Sequence, residues 1–208
     1  MTNATITDPR PRFAIALTIA GDAVAGVRPD QLGDPTPCTE LDVRGLVQHL
    51  VGVLDRLIAI GRTEDPFAVP ARAIDDDTVA AVWRDARAEL DSVWADEAAL
   101  DVPSPLPWAP GTGADVLRGY LNELTVHTWD LATATGQRPA WDPEILAAVA
   151  AGVGMGMPAT DRAAMFAPIK AQLPPHIAAL PDPFADAVPV ADDAPLIDRI
   201  VAWNGRQP

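Results

Sequence analysis

Proline divides this chain into segments that can form helices and segments that cannot. The sequence has 22 prolines among 208 residues, and many of them lie in three stretches, 28–41, 62–75 and 99–111. Proline lacks a backbone N–H and its ring clashes with the preceding helical turn, so a helix cannot run through these stretches. We therefore expect them to be loops. Their length, about 10–15 residues, is unusual for simple connectors and indicates that they surround a pocket.

The segments between these loops have the periodicity of amphipathic helices. Apolar residues recur three and four positions apart, which places them on one face of a helix. The four long segments of this kind are 13–27, 42–61, 76–98 and 112–135. None of them reads convincingly as a strand. The chain is therefore predicted to be all-α, and the simplest architecture is a four-helix bundle.

Capping residues mark two helix starts and one helix end. Thr39 followed by Asp42, and Thr112 followed by Asp115, have the spacing of a capping box. Gly136 follows the fourth long segment and is a suitable C-cap.

Shorter helices are predicted beyond the bundle, at 143–157, 161–171 and 195–203. Residues 174–195 are rich in proline, alanine and aspartate, and we expect an extended tail along the surface. We interpret the whole chain, 1–208, as a single domain. Its core bundle is expected at about 10–140 and its C-terminal helical extension at about 141–208.

One constellation of side chains suggests a metal site. Glu123 and His127 are one turn apart in the fourth long helix, and His49 lies on the apolar face of the second. A carboxylate and an imidazole at this spacing can hold one metal ion when another helix brings a third ligand. We therefore predict His49, Glu123 and His127 as metal ligands. The same spacing also fits a surface ion pair, and His49 also fits a buried neutral histidine with a hydrogen-bond partner.

Two further residues near this constellation have alternative interpretations. Asp130 lies three residues after His127 and could orient that ligand through a hydrogen bond, or could be an ordinary exposed acid. Cys38 precedes a helix start, where thiolates are favoured, but a lone cysteine is more often a small buried side chain.

Charge and hydropathy exclude several classes of partner. The net charge of −14 and the pI of about 4.4 would repel a phosphate backbone, so no nucleic-acid binding is expected. No apolar run approaches the roughly 20 residues of a membrane span, and the N-terminus has no signal-peptide pattern. A single cysteine fits a reducing cytosol, so we expect a cytoplasmic protein with no membrane partner.

Two stretches of the sequence resemble the signatures of a known family. Residues 36–52, TPCTELDVRGLVQHLVG, and residues 122–136, NELTVHTWDLATATG, are similar to the two signatures of the mycothiol-dependent maleylpyruvate isomerase-like proteins. These proteins belong to the DinB-like superfamily of metal-binding four-helix bundles. Residues 188–206 resemble the tail of a branch without an additional C-terminal domain. One departure is Leu41, where the family commonly has tryptophan, and it affects the expected shape of the pocket.

The resemblance implies a divalent metal, usually zinc with nickel as an alternative, held by His49, Glu123 and His127. It also implies a small-molecule substrate and a low-molecular-weight thiol, mycothiol, as partners. The predicted function is that of an isomerase or transferase with a metal-activated thiolate. The alternative is a non-catalytic bundle that binds a metal or a small ligand. We expect a monomer or a homodimer. The candidates for a substrate-binding arginine are Arg44, Arg56 and Arg118.

Overall fold

The computed structural model describes residues 8–208, without the side chains of residues 153–155. Over this part of the chain all regular elements are helical, which confirms the predicted all-α class. The α-helices are α1 (Arg10–Ala25), α2 (Val43–Gly61), α3 (Val79–Trp94), α4 (Ala98–Asp101), α5 (Gly113–Thr135), α6 (Pro143–Gly156), α7 (Arg162–Lys170), α8 (Pro175–Ala178) and α9 (Leu196–Trp203).

Helices α1, α2, α3 and α5 form the predicted four-helix bundle. Helix α1 packs against α3 and α5, and α2 packs against the same two helices. Therefore α1 and α2 occupy diagonal corners of the bundle. The chain between them has to cross from one corner to the other, which accounts for the long proline-containing loop at that point.

The core lies between the inward faces of these four helices. Leucines of α2 and α5 are almost completely buried, namely Leu46, Leu50, Leu54, Leu57, Leu117, Leu124 and Leu131. Each leucine withdrawn from water stabilises the fold by roughly 1.5–3 kcal/mol. Trp94 closes one end of the core, where its Nε1 donates a hydrogen bond to the Leu57 carbonyl oxygen at 3.1 Å. Gly113 packs beside Trp94, and any side chain there would overlap the carbonyl oxygen of Ala99.

The boundaries of α5 agree with the predicted capping chemistry. Thr112 and Asp115 form a capping box at its start, with the Thr112 N–H donating to the Asp115 carboxylate at 2.9 Å. Gly136 follows its last turn in the left-handed conformation, with φ of 70°. Both predictions for this helix are confirmed, which matters because α5 carries two of the predicted ligands.

The start of α2 differs from the predicted capping by Thr39. Asp42 is itself the N-cap, and its carboxylate accepts a hydrogen bond from the Gly45 N–H at 2.8 Å. The prediction that Thr39 opens this helix was wrong. Residues 38–41 form a turn closed by a hydrogen bond from the Leu41 N–H to the Cys38 carbonyl oxygen, so helical hydrogen bonding begins later.

Helix α3 is shorter than its predicted range of 76–98. It ends at Trp94, and the separate short helix α4 follows. The Asp96 carboxylate accepts a hydrogen bond from the Ala98 N–H at 2.9 Å. Such a local side-chain bond competes with helical hydrogen bonding and separates the two helices.

The C-terminal helices pack onto the bundle. Helix α6 contacts α1 and α5, and α9 contacts α5 and α6. Apolar side chains beyond α5 belong to the same core, namely Ile145, Leu146, Val149, Phe166, Phe184 and Ile200. The segment predicted as an extended tail, 174–195, contains the short helix α8, which Pro175 begins because proline suits a first helical turn. None of the helices in the described part of the chain is long and apolar enough to cross a membrane.

Candidate metal centre

The three predicted ligands, His49, Glu123 and His127, converge in the structure. One ligand atom of each residue lies within 4.8 Å of those of the other two. His49 Nε2 is 2.9 Å from Glu123 Oε1, and His127 Nε2 is 3.6 Å from the same oxygen. The two imidazole rings meet edge to face, with centroids 4.6 Å apart. The fold thus brings together two ring nitrogens and one carboxylate, a donor set suited to a divalent metal.

Helices α2 and α5 position this donor set. Glu123 and His127 share one face of α5 because they are four residues apart, and α2 brings His49 to that face. His49 lies at the margin of the apolar face of α2, since its side chain is 32% exposed whereas Leu46 and Leu50 are fully buried. Exposure falls to 18% at Glu123 and 5% at His127. The site is therefore open to solvent on its His49 side and closed on its His127 side.

Asp130 contacts the Nδ1 side of the His127 ring, whereas Glu123 faces its Nε2. The His127 Nδ1 is 3.1 Å from Asp130 Oδ2, and Asp130 is completely buried. The interpretation of Asp130 as an exposed acid is therefore wrong. Its carboxylate also accepts hydrogen bonds from Arg206, from Nε at 3.1 Å and from Nη2 at 3.0 Å. A histidine oriented by a carboxylate in this way is the usual arrangement behind a metal-binding imidazole.

Sequence reasoning missed Arg206. It lies 76 residues from Asp130 and beyond the last helix, so no helical spacing connects the two. Hydrogen bonds between Asn122 and Asn204, at 2.8 and 3.1 Å, attach the end of α9 to α5. The Arg206 Nη1 also donates to the Asn204 carbonyl oxygen at 3.1 Å. These bonds hold the guanidinium against Asp130. No feature of the sequence signalled this contact, because none showed that Asp130 is buried and needs a partner.

The charges of His49, Glu123 and His127, the three predicted ligands, influence one another strongly. Burial alone would lower the pKa of His127, but the Glu123 charge and the hydrogen bond to Asp130 outweigh it and raise the pKa to about 9. Burial would raise the pKa of Glu123, but the two imidazoles reverse this and hold it well below its usual range. Burial lowers the pKa of His49 despite its bond to Glu123. At neutral pH, His127 is therefore cationic, Glu123 anionic and His49 neutral.

Cys38, His127 and Asp130 form a second group of possible metal ligands, which shares His127 with the first group. The sulfur of Cys38 lies within 4.8 Å of ligand atoms of His127 and Asp130. The side chain is half-buried, and burial raises the pKa of the thiol although the Arg206 charge acts in the opposite direction. The thiol is therefore protonated at neutral pH, which argues against a reactive thiolate. Because Asp130 already binds Arg206, we regard the group with His49 as the better candidate for a metal.

Arg56 is the arginine most closely associated with the site. Burial would lower the pKa of Arg56, but its interaction with Tyr120 and, after that, the Glu123 charge raise it. The Arg56 charge in turn adds to the effect of burial in lowering the pKa of His49. Arg44 and Arg118, the other two candidates, form ion pairs with aspartates at 2.6 and 2.8 Å, respectively.

Comparisons with known proteins cover the part of the chain that carries these residues. A family model described as the mycothiol maleylpyruvate isomerase N-terminal domain matches residues 13–132, more than half of the chain, including His49, Glu123, His127 and Asp130. Two relatives, both described as uncharacterized, come from Mycobacterium tuberculosis strains CDC 1551 / Oshkosh and ATCC 25618 / H37Rv. Each is 31% identical over 184 residues, which cover 88% of this chain and 89% of the relative. No solved structure matches the chain significantly. The chain belongs to the mycothiol maleylpyruvate isomerase N-terminal domain family, as its two signatures predicted.

Proposed function

We propose that His49, Glu123 and His127 bind one divalent metal ion, most favourably zinc, with nickel as the alternative. Two imidazole nitrogens and one carboxylate oxygen form a donor set that both ions accept. Three protein ligands are also the number found in catalytic zinc sites, where one position stays available for water or substrate. The observation that carries the proposal is the convergence of these three ligand atoms within 4.8 Å.

The residues behind His127 support this assignment. With Nδ1–H donating to Asp130, the Nε2 of His127 faces Glu123 and is the nitrogen available to a metal. Arg206 forms an ion pair with Asp130, so this completely buried carboxylate has a partner of opposite charge. The imidazole is thereby fixed in one orientation before any ion arrives.

The charge of the site favours thiol chemistry. When bound, the ion supplies a Lewis acid at which a coordinated thiol loses its proton. With two neutral imidazoles and one carboxylate, a divalent ion keeps about one positive charge, which favours an anion such as a thiolate. We therefore propose a cytoplasmic isomerase or transferase that uses a low-molecular-weight thiol, with mycothiol as the thiol that the family description names.

Isomerisation and transfer share their first step. The thiolate sulfur forms a bond to one carbon of an activated double bond, and the electron pair of that double bond moves onto the activating group. In an isomerisation, the resulting single bond rotates and elimination returns the thiolate. In a transfer, a proton is taken up instead and the new sulfur–carbon bond remains.

Metal content tests the first part of the proposal. We expect about one equivalent of zinc in the wild-type protein, as in the structural and catalytic sites of this type. Glu123→Ala and His127→Ala should each retain less than about a tenth of it, because each removes a ligand. The matched controls are Glu64→Ala and His176→Ala, whose side chains are outside the site. Equal metal content in wild type and both site variants would refute the proposal.

Thiol consumption tests the second part. The zinc-loaded protein should isomerise maleylpyruvate in the presence of mycothiol, or consume mycothiol when an electrophile is added, and His49→Ala should abolish either activity. Zinc retention without any change of mycothiol or maleylpyruvate would instead favour the non-catalytic metal-binding bundle.

A further inference from the structure

A buried arginine lies among the C-terminal helices, outside the candidate metal centre. Arg162 is the first residue of α7 and is 1% exposed. Its Nε donates a hydrogen bond to the Pro158 carbonyl oxygen at 2.7 Å, and its Nη1 donates to that of Ala185 at 2.6 Å. The guanidinium also lies over the ring of Trp203 in α9, with its central carbon 5.7 Å from the ring centroid. The Arg162 side chain thus joins the start of α7 to the end of α9.

The positive charge of Arg162 has no carboxylate in direct contact among the described residues. Both of its hydrogen-bond acceptors are neutral carbonyl oxygens. The charge of Asp186 acts on Arg162, but the Asp186 carboxylate accepts hydrogen bonds from the backbone N–H groups of Asp161 and Arg162 instead. Burial lowers the pKa of the guanidinium, and the Asp186 charge offsets this only in part. Arg206, which is similarly buried, pairs with Asp130, as buried charges usually do.

The contact between Arg162 and Trp203 contains two hydrogen-bond donors without an acceptor. The Nη2 of Arg162 and the Nε1 of Trp203 are shielded from solvent and have no hydrogen-bond partner in the described part of the chain. Buried polar groups nearly always have a partner, so two such donors in one contact indicate an acceptor that binds there. A hydrogen bond spans about 3 Å, so one small acceptor can bind donors of two side chains that lie this close together.

An anion suits these two donors better than a water molecule does. A water molecule accepts hydrogen bonds but leaves the positive charge of the buried guanidinium without a counter-charge. An anion supplies both the acceptor and the counter-charge, and hydrogen bonds between charged partners are the stronger ones. Because both nitrogens are shielded from solvent, the anion has to be small enough to be enclosed. A halide such as chloride meets these requirements.

We propose that Arg162 and Trp203 form a binding site for a small inorganic anion with one negative charge, such as chloride, between α7 and α9. The bound anion holds the end of α9 against the start of α7. Asn204 follows Trp203 directly, and its side chain is hydrogen-bonded to Asn122 of α5. The anion therefore stabilises the attachment of the C-terminal helices to the bundle. This site is independent of the proposed metal ion and of its chemistry.

Chloride titration of the metal-free, full-length protein tests this site, since chloride could also bind a zinc ion. The signal is the indole N–H resonance of Trp203 in NMR spectra, assigned with Trp203→Phe. Sodium gluconate keeps the ionic strength constant, because its anion is too large to be enclosed. We expect a saturable shift of the Trp203 resonance and none for Trp94, whose Nε1 already donates to the Leu57 carbonyl oxygen. An unshifted Trp203 resonance, with a nuclear Overhauser effect to water at every chloride concentration, would show a buried water only and would overturn the inference.

Replacement of the arginine tests the source of the affinity. Arg162→Met should abolish the saturable shift, because it removes both the charge and the Nη2 donor. The matched control is Arg84→Met, which removes an exposed arginine of α3 and should leave chloride binding unchanged. Equal chloride affinity in the wild type and Arg162→Met would contradict the proposed site.

Trp203→Phe covers the case in which Arg162→Met does not fold. It keeps a ring beneath the guanidinium but loses the indole N–H. The measurement is the urea midpoint of unfolding, which should rise in the wild type as chloride replaces gluconate, because chloride binds the folded state. Trp203→Phe should bind chloride at least about tenfold more weakly, since one of two hydrogen bonds to the anion is lost. The same dependence on chloride in both proteins would refute the role of Trp203, and no dependence in the wild type would refute the site.

Discussion

Replacement of Arg206 by methionine probes the arrangement behind the candidate metal centre most directly. The substitution keeps most of the side-chain length but removes the guanidinium that binds both oxygens of Asp130. Asp130 stays buried and keeps its hydrogen bond to His127. The substitution thus leaves the buried Asp130 carboxylate with His127 as the one that remains of these two partners.

The expected loss of stability follows from the burial of the ion pair between Asp130 and Arg206. The side chains of Asp130 and Arg206 are 0% and 8% exposed. Loss of one partner from such a buried pair costs about 3–5 kcal/mol. In the metal-free protein, His127 is protonated below a pKa of about 9 and offsets part of the unpaired charge. We therefore expect a loss near the lower bound, about 3 kcal/mol at pH 7. Zinc affinity should fall by about 10- to 100-fold, because the orientation of His127 is less well fixed.

Urea unfolding of the metal-free protein measures the first effect, and competition with a chromophoric chelator measures the second. A loss of 3 kcal/mol corresponds to a decrease in Tm of roughly 6–12 °C for a chain of this size. Arg84→Met is the control and should change the unfolding free energy by less than about 0.5 kcal/mol. Adding Asp130→Asn to Arg206→Met should restore about 1 kcal/mol or more, because it removes the unpaired charge. A loss below about 1 kcal/mol with unchanged zinc affinity would refute the reasoning.

Further predictions concern the proton on His127, the bound metal and the packing of α5. A raised pKa means that folding favours the protonated form, so the metal-free protein should lose stability as pH rises through about 9, as urea unfolding would show. Zinc at 100 times its Kd should stabilise the fold by about 2.7 kcal/mol, and a chelator should abolish this in wild type but have no effect on His127→Ala. Gly113→Ala should cost about 1–3 kcal/mol in the same assay because its methyl group would overlap Ala99. Gly119→Ala, in open space on the same helix, should instead stabilise by about 0.5–1 kcal/mol.

Local signals explain why the bundle and the ligand candidates could be predicted from the sequence. Clustered prolines exclude a long helix from the three loops, and apolar periodicity reports which face of a helix is buried. Glu123 and His127 were predicted as neighbours because four residues are one helical turn. His49 required a second step, since its partner helix could be inferred only from the family resemblance and from its place among leucines.

Non-local contacts explain what the sequence did not reveal. Arg206 reaches Asp130 only because α9 folds back onto α5, and no periodicity encodes that path. The contact between Trp108 and Phe67 is a similar case, since the two side chains come from different loops and meet edge to face. The error in predicting Thr39 as the cap of α2 has another origin, because the turn over residues 38–41 delays the helix so that Asp42 becomes its N-cap.

The coupled charges at the centre also predict how metal uptake depends on pH. In the metal-free protein, the proton on His127 balances the Glu123 carboxylate, as a metal ion would. A metal must displace that proton from Nε2, because the Nδ1 proton is donated to Asp130. Zinc binding at pH 7.5 should therefore release about one proton, and the release should fall towards zero as the pH exceeds about 9. Calorimetry in buffers with different ionisation enthalpies measures this number directly. Zinc binding without proton release at pH 7.5 would show that His127 is already neutral and that Glu123 and Asp130 do not raise its pKa.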